Sequence, residues 1–212
     1  RLRRQGHRWN HKRVWRVYCL MKLNRRRRTK KRIPEREPAP LIVPSRPNQV
    51  WSADFMSDAL YHGVRFRTFN VLDDFNREIL AIEIDTSLPS ERLTRVFEQI
   101  KATHDLLDVL RTDNGPEFLG ERFTSWCQDN GIMIKYIEPG KPNQNAYIER
   151  FNRSYRTEVL DTWLFRDLDE VREITWAWML EYNEERDHDS LGGMTPAEAL
   201  KRARSSTFEW ST

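Results

Sequence analysis

The chain of 212 residues lacks the features that mark secreted and membrane proteins. It has only two cysteines, Cys19 and Cys127, too few for a disulfide framework, so we expect a protein of the reducing cytoplasm. No apolar run approaches the ~18 residues that a membrane helix needs, and no apolar segment of a signal peptide follows the basic start. A structural zinc site is not expected either, because only Cys19 lies near His7 and His11 and such sites need about four ligands.

Acidic residues are absent from the first part of the chain. Residues 1–33 hold 15 of the 36 lysines and arginines, and the remainder holds 21 of them against all 32 acids. This asymmetry predicts a basic arm for nucleic acid beside a domain with a different task, although charge alone leaves a solvated tail equally open. Apolar residues at helical spacing, with Asn10 as N-cap, favour a short packed helix that ends near Asn24.

Proline separates this arm from the rest of the chain. A nearly unbroken basic run over residues 25–32 is followed by five prolines between Pro34 and Pro47, a composition typical of a semi-rigid, extended linker. The predicted organisation is therefore a basic helical arm (residues 1–33), a linker (34–48), a core (49–200) and a C-terminal tail (201–212).

After the linker the periodicity changes to that of strands. Short segments rich in β-branched and aromatic residues predict five strands, at residues 50–55, 64–72, 79–84, 109–110 and 132–137. Helical spacing predicts helices that begin near Ser90, span 118–130, 145–160 and 168–182, and begin again at Pro196. Strands that come first as a meander and then alternate with helices predict an α/β fold with a mixed five-stranded sheet flanked by helices.

Three acids stand at the edges of these predicted elements. Asp54 lies within the first strand, Asp113 follows the fourth, and Glu149 lies one turn into a helix. Phosphodiester chemistry with two metal ions needs hard oxygen ligands that hold the ions ~3.5–4 Å apart, so carboxylates from separate segments must meet. The residues alone leave structural alternatives open: a satisfied core acid, a turn former, and an ion pair with Arg153 four residues on.

The helix around Glu149 carries a polar stripe beside its apolar face. Spacing of three and four residues puts on one stripe Asn145, Glu149, Asn152, Arg153 and Arg156. A carboxylate bordered by amides and guanidinium groups fits a metal ligand next to a surface that contacts phosphates.

Three ordered motifs resemble a known family. Residues 51–55 (WSADF), 112–118 (TDNGPEF) and 140–152 (GKPNQNAYIERFN) are similar to bacterial insertion-sequence transposases with a retroviral-integrase-like core. The 35 residues between Asp113 and Glu149 match the interval that this family shares with retroviral integrases. The segment from Tyr182 to Pro196 also resembles the family's closing segment, except that Asp187 stands where a proline usually precedes the histidine, which leaves the role of His188 open.

The resemblance implies a ribonuclease-H-like core, preceded by the end of a helical DNA-binding region. It implies a DNA transposase whose metal ligands and catalytic residues are Asp54, Asp113 and Glu149, with two Mg²⁺ or Mn²⁺ ions per active site. The implied partners are double-stranded DNA (terminal repeats and target) and further copies of the chain assembled on that DNA; neither a membrane nor a small-molecule substrate is expected.

Candidate DNA contacts come from the arm and from the neighbourhood of the acids. The arm would supply affinity through release of counterions, which falls steeply with salt. The candidates are Lys12, Arg13, Arg16, Arg25, Arg26, Arg27, Arg28, Asn114, Gly115, Lys141, Gln144, Asn145, Arg153 and Arg156.

Two other functions fit the same residues. A ribonuclease-H-like nuclease would cleave without joining strands, and a catalytically inactive DNA-binding relic would bind DNA without turnover. The linker and the basic arm favour the transposase over the nuclease, and the presence of all three acids favours it over the relic.

Overall fold

The computed structural model describes residues 6–23, 44–138 and 142–208. The chain divides into two compact units, residues 1–39 and residues 40–212. In the first unit, helix α1 (His11–Leu20) begins after Asn10, whose side-chain oxygen accepts a hydrogen bond from the Lys12 backbone N–H at 2.9 Å. The N-cap is therefore as predicted. The helix ends before Asn24, and none of its side chains is buried, so the apolar packing expected of it is absent from the described residues.

The second unit contains a five-stranded sheet. Its strands are β1 (Val50–Ala59), β2 (Arg65–Asp73), β3 (Ile79–Asp85), β4 (Val109–Thr112) and β5 (Met133–Tyr136). They lie in the order β3-β2-β1-β4-β5; β1, β2 and β3 form an antiparallel meander, and β4 and β5 run parallel to β1. The mixed sheet predicted from the element order is confirmed.

Helices cover both faces of the sheet. They are α2 (Ser90–Lys101), α3 (Pro116–Leu119), α4 (Glu121–Asp129), α5 (Ala146–Tyr155), α6 (Leu168–Glu184) and α7 (Pro196–Phe208). Buried side chains of α2, α3 and α4 form one core with Trp51 and Phe69, and those of α5 and α6 form a second core with Phe66 and Leu72. Among the described helices, none is long and apolar enough to cross a membrane.

The alternation of side chains along β1 decides where Asp54 points. Trp51 and Ala53 belong to the core under α2, so Ser52 and Asp54, which alternate with them, lie on the opposite face of the sheet, which α5 covers. Asp54 pairs across the strands with Asn70 of β2, which shares that face. The sheet therefore presents an acid and an amide, side by side, to the helix that carries Glu149.

Two predicted helices differ from the structure. The helix predicted over residues 145–160 is α5 followed by a wider π turn at Arg156–Leu160. The helix predicted over residues 118–130 is broken at Gly120, which has extended backbone angles (φ −60°, ψ 130°) and separates α3 from α4.

The glycine at this break has a packing cause. A Cβ atom at position 120 would lie 2.3 Å from the Ser90 Oγ and 2.7 Å from the Ser90 Cβ, so the backbone passes too close to the start of α2 for any side chain. Periodicity cannot reveal this constraint, because it arises from a neighbour thirty residues away in sequence.

We expect Gly120→Ala to lower the free energy of unfolding by about 1–3 kcal/mol, the usual cost of overpacking. Urea unfolding of the variant measures this loss. The same Gly120→Ala change should cost much less in a Ser90→Gly background, where the contact with Ser90 has been removed. Equal costs in the two backgrounds would show that the contact with Ser90 is not the reason for the glycine.

Candidate active site

The fold brings the three predicted acids to one region of the sheet. Asp54 is on β1 and faces α5; Glu149 is on α5, which packs on β1 and β2. Asp113 follows β4, whose parallel register with β1 pairs Arg111 with Ser52, so Asp113 and Asp54 continue neighbouring strands in the same direction.

Asp54 lies within the electrostatic influence of both other acids. The pKa of Asp54 is raised from its ordinary 3.8 to about 6, first by burial and then by the negative charges of Asp113 and Glu149. Hydrogen bonds to Asp54 from the Phe55 backbone N–H and from Asn152, both 2.8 Å, act in the opposite direction. A cation here would relieve the repulsion, and a set of carboxylate oxygens suits Mg²⁺ or Mn²⁺.

The acids are close but not yet gathered around one point. Within the described residues, no three His, Cys, Asp or Glu side chains form a ready-made metal-binding group. Asp113 is half-buried and Glu149 is exposed. Within the described part of the chain, Glu149 makes no ion pair with Arg153. The ion pair that the sequence left open for Glu149 is therefore not formed there.

A chain of two amides supports Asp54. The Asn152 Nδ2 donates to the Asp54 Oδ2, and the Asn70 Nδ2 donates to the Asn152 Oδ1, each at 2.8 Å. Asn70 is fully buried on β2, directly across from Asp54. The two bonds fix which way the Asn152 amide faces and so present its N–H₂ group to the carboxylate.

Sequence reasoning placed Asn152 on the polar stripe but missed Asn70. A signal existed, because an asparagine between Phe69 and Val71 in an apolar strand needs a partner. Recognising that partner requires the register of β1 with β2, which the sequence does not contain.

Hydrogen bonds fix the conformation of the turn that carries Asp113 after β4. The Gly115 backbone N–H donates to the Asp113 Oδ1 at 3.0 Å, and the Asn114 side chain donates to the Ile137 carbonyl at 3.2 Å. A Cβ at Gly115 would lie 3.0 Å from the Asp113 Oδ1 and 3.2 Å from the Glu117 Oε2, so a side chain there would crowd both acids.

The predicted DNA contacts have different surroundings. Arg153 is exposed, and Arg156 is bound to the protein itself through Asp58 (2.7 Å) and the Ser57 carbonyl (2.7 Å). The Gln144 Oε1 accepts from the Glu138 backbone N–H at 2.9 Å. Arg156 and Gln144 therefore have structural partners as well as any role on DNA.

The other candidates separate into buried, exposed and undescribed residues. Asn145 is buried, and its Oδ1 has no hydrogen-bond partner among the described residues. Exposed on α1 are Lys12, Arg13 and Arg16. Outside the described residues lie Arg25, Arg26, Arg27, Arg28 and Lys141.

We expect Mg²⁺ at about 100 times its dissociation constant to stabilise the chain by about 2.7 kcal/mol, because the ion binds only the folded form. For a chain of this size the melting temperature rises by about 5–10 °C. Asp54→Asn should abolish the rise, whereas Asp105→Asn, at an exposed acid away from the site, should retain it. Differential scanning calorimetry with and without EDTA measures both, and an equal rise in the two variants would place the ion elsewhere.

Sequence comparison matches this unit to known proteins. Two models described as "Integrase core domain" match residues 44–142 and 130–196. The insertion element IS407 uncharacterized 31.7 kDa protein of Burkholderia multivorans is 38% identical over 201 residues, covering 95% of this chain and 73% of that protein. The insertion element IS476 uncharacterized 39.2 kDa protein of Xanthomonas euvesicatoria is 39% identical over 189 residues; the match spans 89% of this chain but only 55% of that protein.

Solved structures support the fold. One chain of a simian T-cell lymphotropic virus intasome superposes with a TM-score of 0.63 at 15% identity, covering 79% of this chain and 60% of its own. The HTLV-2 integrase catalytic core domain, in complex with magnesium, superposes with a TM-score of 0.57 at 19% identity over 74% of this chain and 98% of its own. The core is thus ribonuclease-H-like, as expected, and the chain belongs to the insertion-element transposase family, whose catalytic domain is an integrase core.

Proposed function

We propose that the chain catalyses metal-dependent cleavage at the end of an insertion element and transfer of the freed strand, with Asp54, Asp113 and Glu149 as the metal ligands. The observation that supports this most directly is that the fold brings Asp54 of β1, Asp113 after β4 and Glu149 of α5 to one region of the sheet, where burial first, and then the two other carboxylates, raise the pKa of Asp54. Such convergence of acids is costly for the empty protein and useful only when a cation is bound.

The reaction consists of two phosphoryl transfers without a covalent protein intermediate. In the first, the oxygen of water bonds to phosphorus while the bond to the 3′ oxygen of the element breaks and that oxygen takes up a proton. In the second, the 3′-hydroxyl bonds to the phosphorus of another phosphodiester, whose own 3′ oxygen leaves and is protonated. Bound Mg²⁺ or Mn²⁺, two per site, would activate the attacking oxygen and stabilise the leaving one.

The protein's own residues bind and orient. Asp54 and Asp113 would hold the ions between them, and Glu149 would complete the coordination of one ion. Asn152 keeps the Asp54 carboxylate in place from α5, and Gly115 has no side chain that would crowd the Asp113 carboxylate. The magnesium in the HTLV-2 integrase complex supports this choice of ion.

The substrate would be double-stranded DNA, both terminal repeats and target. The basic arm supports this proposal, because 15 of the 36 basic residues lie in residues 1–33 while the rest of the chain is acidic overall. Assembly of several copies on DNA is supported by the fold relatives, which include an intasome and a trimeric form of an integrase core.

We expect Glu149→Gln to reduce strand cleavage and joining by at least about 10³-fold, because it removes one anionic ligand of the metal site. The assay uses labelled DNA carrying the element's end, with Mg²⁺, Mn²⁺ or EDTA. Glu173→Gln, at an exposed position on α6, serves as the matched control and should retain full activity.

The products distinguish the proposed function from its alternatives. Metal-dependent nicks and joined strands, both lost in Glu149→Gln, would support the transposase and its acids. Cleavage without joining would indicate a ribonuclease-H-like nuclease. DNA binding by both proteins without any reaction would overturn the catalytic proposal and leave a DNA-binding relic.

We further expect Asn70→Ala and Asn152→Ala each to raise the Mg²⁺ concentration for half-maximal cleavage by about 10-fold, the usual effect of losing a residue that orients a metal ligand. Because Asn70 acts through Asn152, the double variant should be no worse than the poorer single one. Asn130→Ala, at the end of α4, is the control. Additive losses would mean that the two amides act independently.

A further inference from the structure

A polar cavity lies beside α5, and none of the three candidate metal ligands lines it. It has a volume of about 360 Å³ and is bounded by the β2–β3 turn, α5, the end of α6 and residues 186–190. Its polar lining includes Arg77, Tyr147, Arg150, Ser154, Arg186 and His188. The functional site described above uses none of these side chains.

Two nitrogen atoms in this region are buried and lack a hydrogen-bond partner among the described residues: the Arg77 Nη1 and the His188 Nε2. Arg77 is held in place because its guanidinium lies 3.6 Å from the centre of the Tyr147 ring. A buried guanidinium N–H without an acceptor costs free energy unless a ligand supplies one. The geometry therefore calls for an acceptor, and an anion satisfies a guanidinium best.

The surrounding charges favour an anion. Arg150 is exposed and forms no ion pair within the described parts of the chain, whereas Arg186 is bound to both oxygens of Glu158 at 2.7 Å. Asp187 and Asp189 also line the cavity, and both are exposed.

The field at His188 shows which charge dominates. Its pKa is lowered to about 4, first by burial and then by Arg186, Arg77 and Arg150; Asp187 acts in the opposite direction with the smallest effect of those named. At the His188 ring the three arginines therefore outweigh Asp187. A neutral imidazole at physiological pH remains available as a hydrogen-bonding group.

We propose that this cavity binds a backbone phosphate of the DNA on which the chain acts, with Arg77, Arg150 and His188 as its contacts. This inference rests on the proposed function. The volume of the cavity exceeds that of one phosphate and falls within the usual range for small-ligand sites, so the attached sugar can enter as well. Arg150 follows Glu149 on α5 and lies about 100° further around the helix, so one duplex can reach both the acids and the cavity.

A cavity of this kind would fix the angle of the duplex over the active site. A phosphate held a few nucleotides from the reacting one restricts rotation of the DNA about α5, and correct orientation is a large part of phosphoryl-transfer catalysis. It would add affinity without adding sequence preference.

The first experiment measures the salt dependence of DNA binding by the full chain in EDTA, where no cleavage occurs. Loss of one phosphate contact should reduce the slope of log K against log salt by about 0.9. Arg150→Gln should show this reduction, and Arg95→Gln, at an exposed arginine on α2, should not. Equal slopes for the two variants would overturn the proposal.

The second experiment identifies the source of the phosphate. The His188 ring resonances, assigned with His188→Asn, are followed during titration with inorganic phosphate, thymidine monophosphate or duplex DNA. We expect all three to shift them and the duplex to displace the small ligands. If the small ligands shift the signals but the duplex does not displace them, the cavity is a free-nucleotide site and the DNA assignment is overturned. If no ligand shifts the signals, the proposal is overturned as well.

Failure of this proposal is distinguishable from failure of the proposed function. If the chain cleaves and joins DNA but Arg150→Gln binds it with the wild-type slope, only the cavity proposal is lost. If the slope changes but no metal-dependent reaction occurs, the cavity binds DNA and the transposase chemistry is lost.

Discussion

The structure depends on placing an ionisable side chain, Asp54, on the sheet face that α5 covers. Burial opposes its charge and two neighbouring acids increase the opposition, which together raise its pKa to about 6. Two hydrogen bonds offset part of this cost, one from its own strand and one from Asn152 on α5. α5 therefore does more than cover a core: it brings Glu149 to the site and the amide that holds Asp54.

A second set of buried charges positions the strands that carry the acids. Asp74 is fully buried and accepts hydrogen bonds from the Ser52 hydroxyl at 2.6 Å and from the Arg111 guanidinium at 2.9 Å. Ser52 lies two residues before Asp54 on β1, and Arg111 lies two residues before Asp113 on β4. The β2–β3 turn thereby connects the two strands whose alignment brings the acids near each other, and loss of Arg111 would leave the buried Asp74 carboxylate without its opposite charge.

The sequence was informative where local pattern and chemistry coincide. The five strands, the apolar face of α2 and the N-cap at Asn10 follow from periodicity and capping preferences, and the candidate acids come from motifs that resemble a known family. Features that depend on distant neighbours were not accessible. The glycine at position 120 is explained by its approach to Ser90, and the contact of Asn70 with the site comes from its register with Asp54. Such features need the three-dimensional pairing that a single sequence leaves open.

The backbone that follows Asp187, the residue at which the resemblance predicts proline, is well hydrogen-bonded around His188. The His188 N–H donates to the Met194 carbonyl at 3.0 Å and its carbonyl accepts from the Gly193 N–H at 2.9 Å, so hydrogen bonds define this loop. The ring packs edge-on against Tyr182 with centroids 4.9 Å apart. Backbone hydrogen bonds fix the loop, and the contact with Tyr182 fixes the ring, so His188 is already ordered where it lines the cavity. A ligand that binds there would lose little free energy to ordering this side chain.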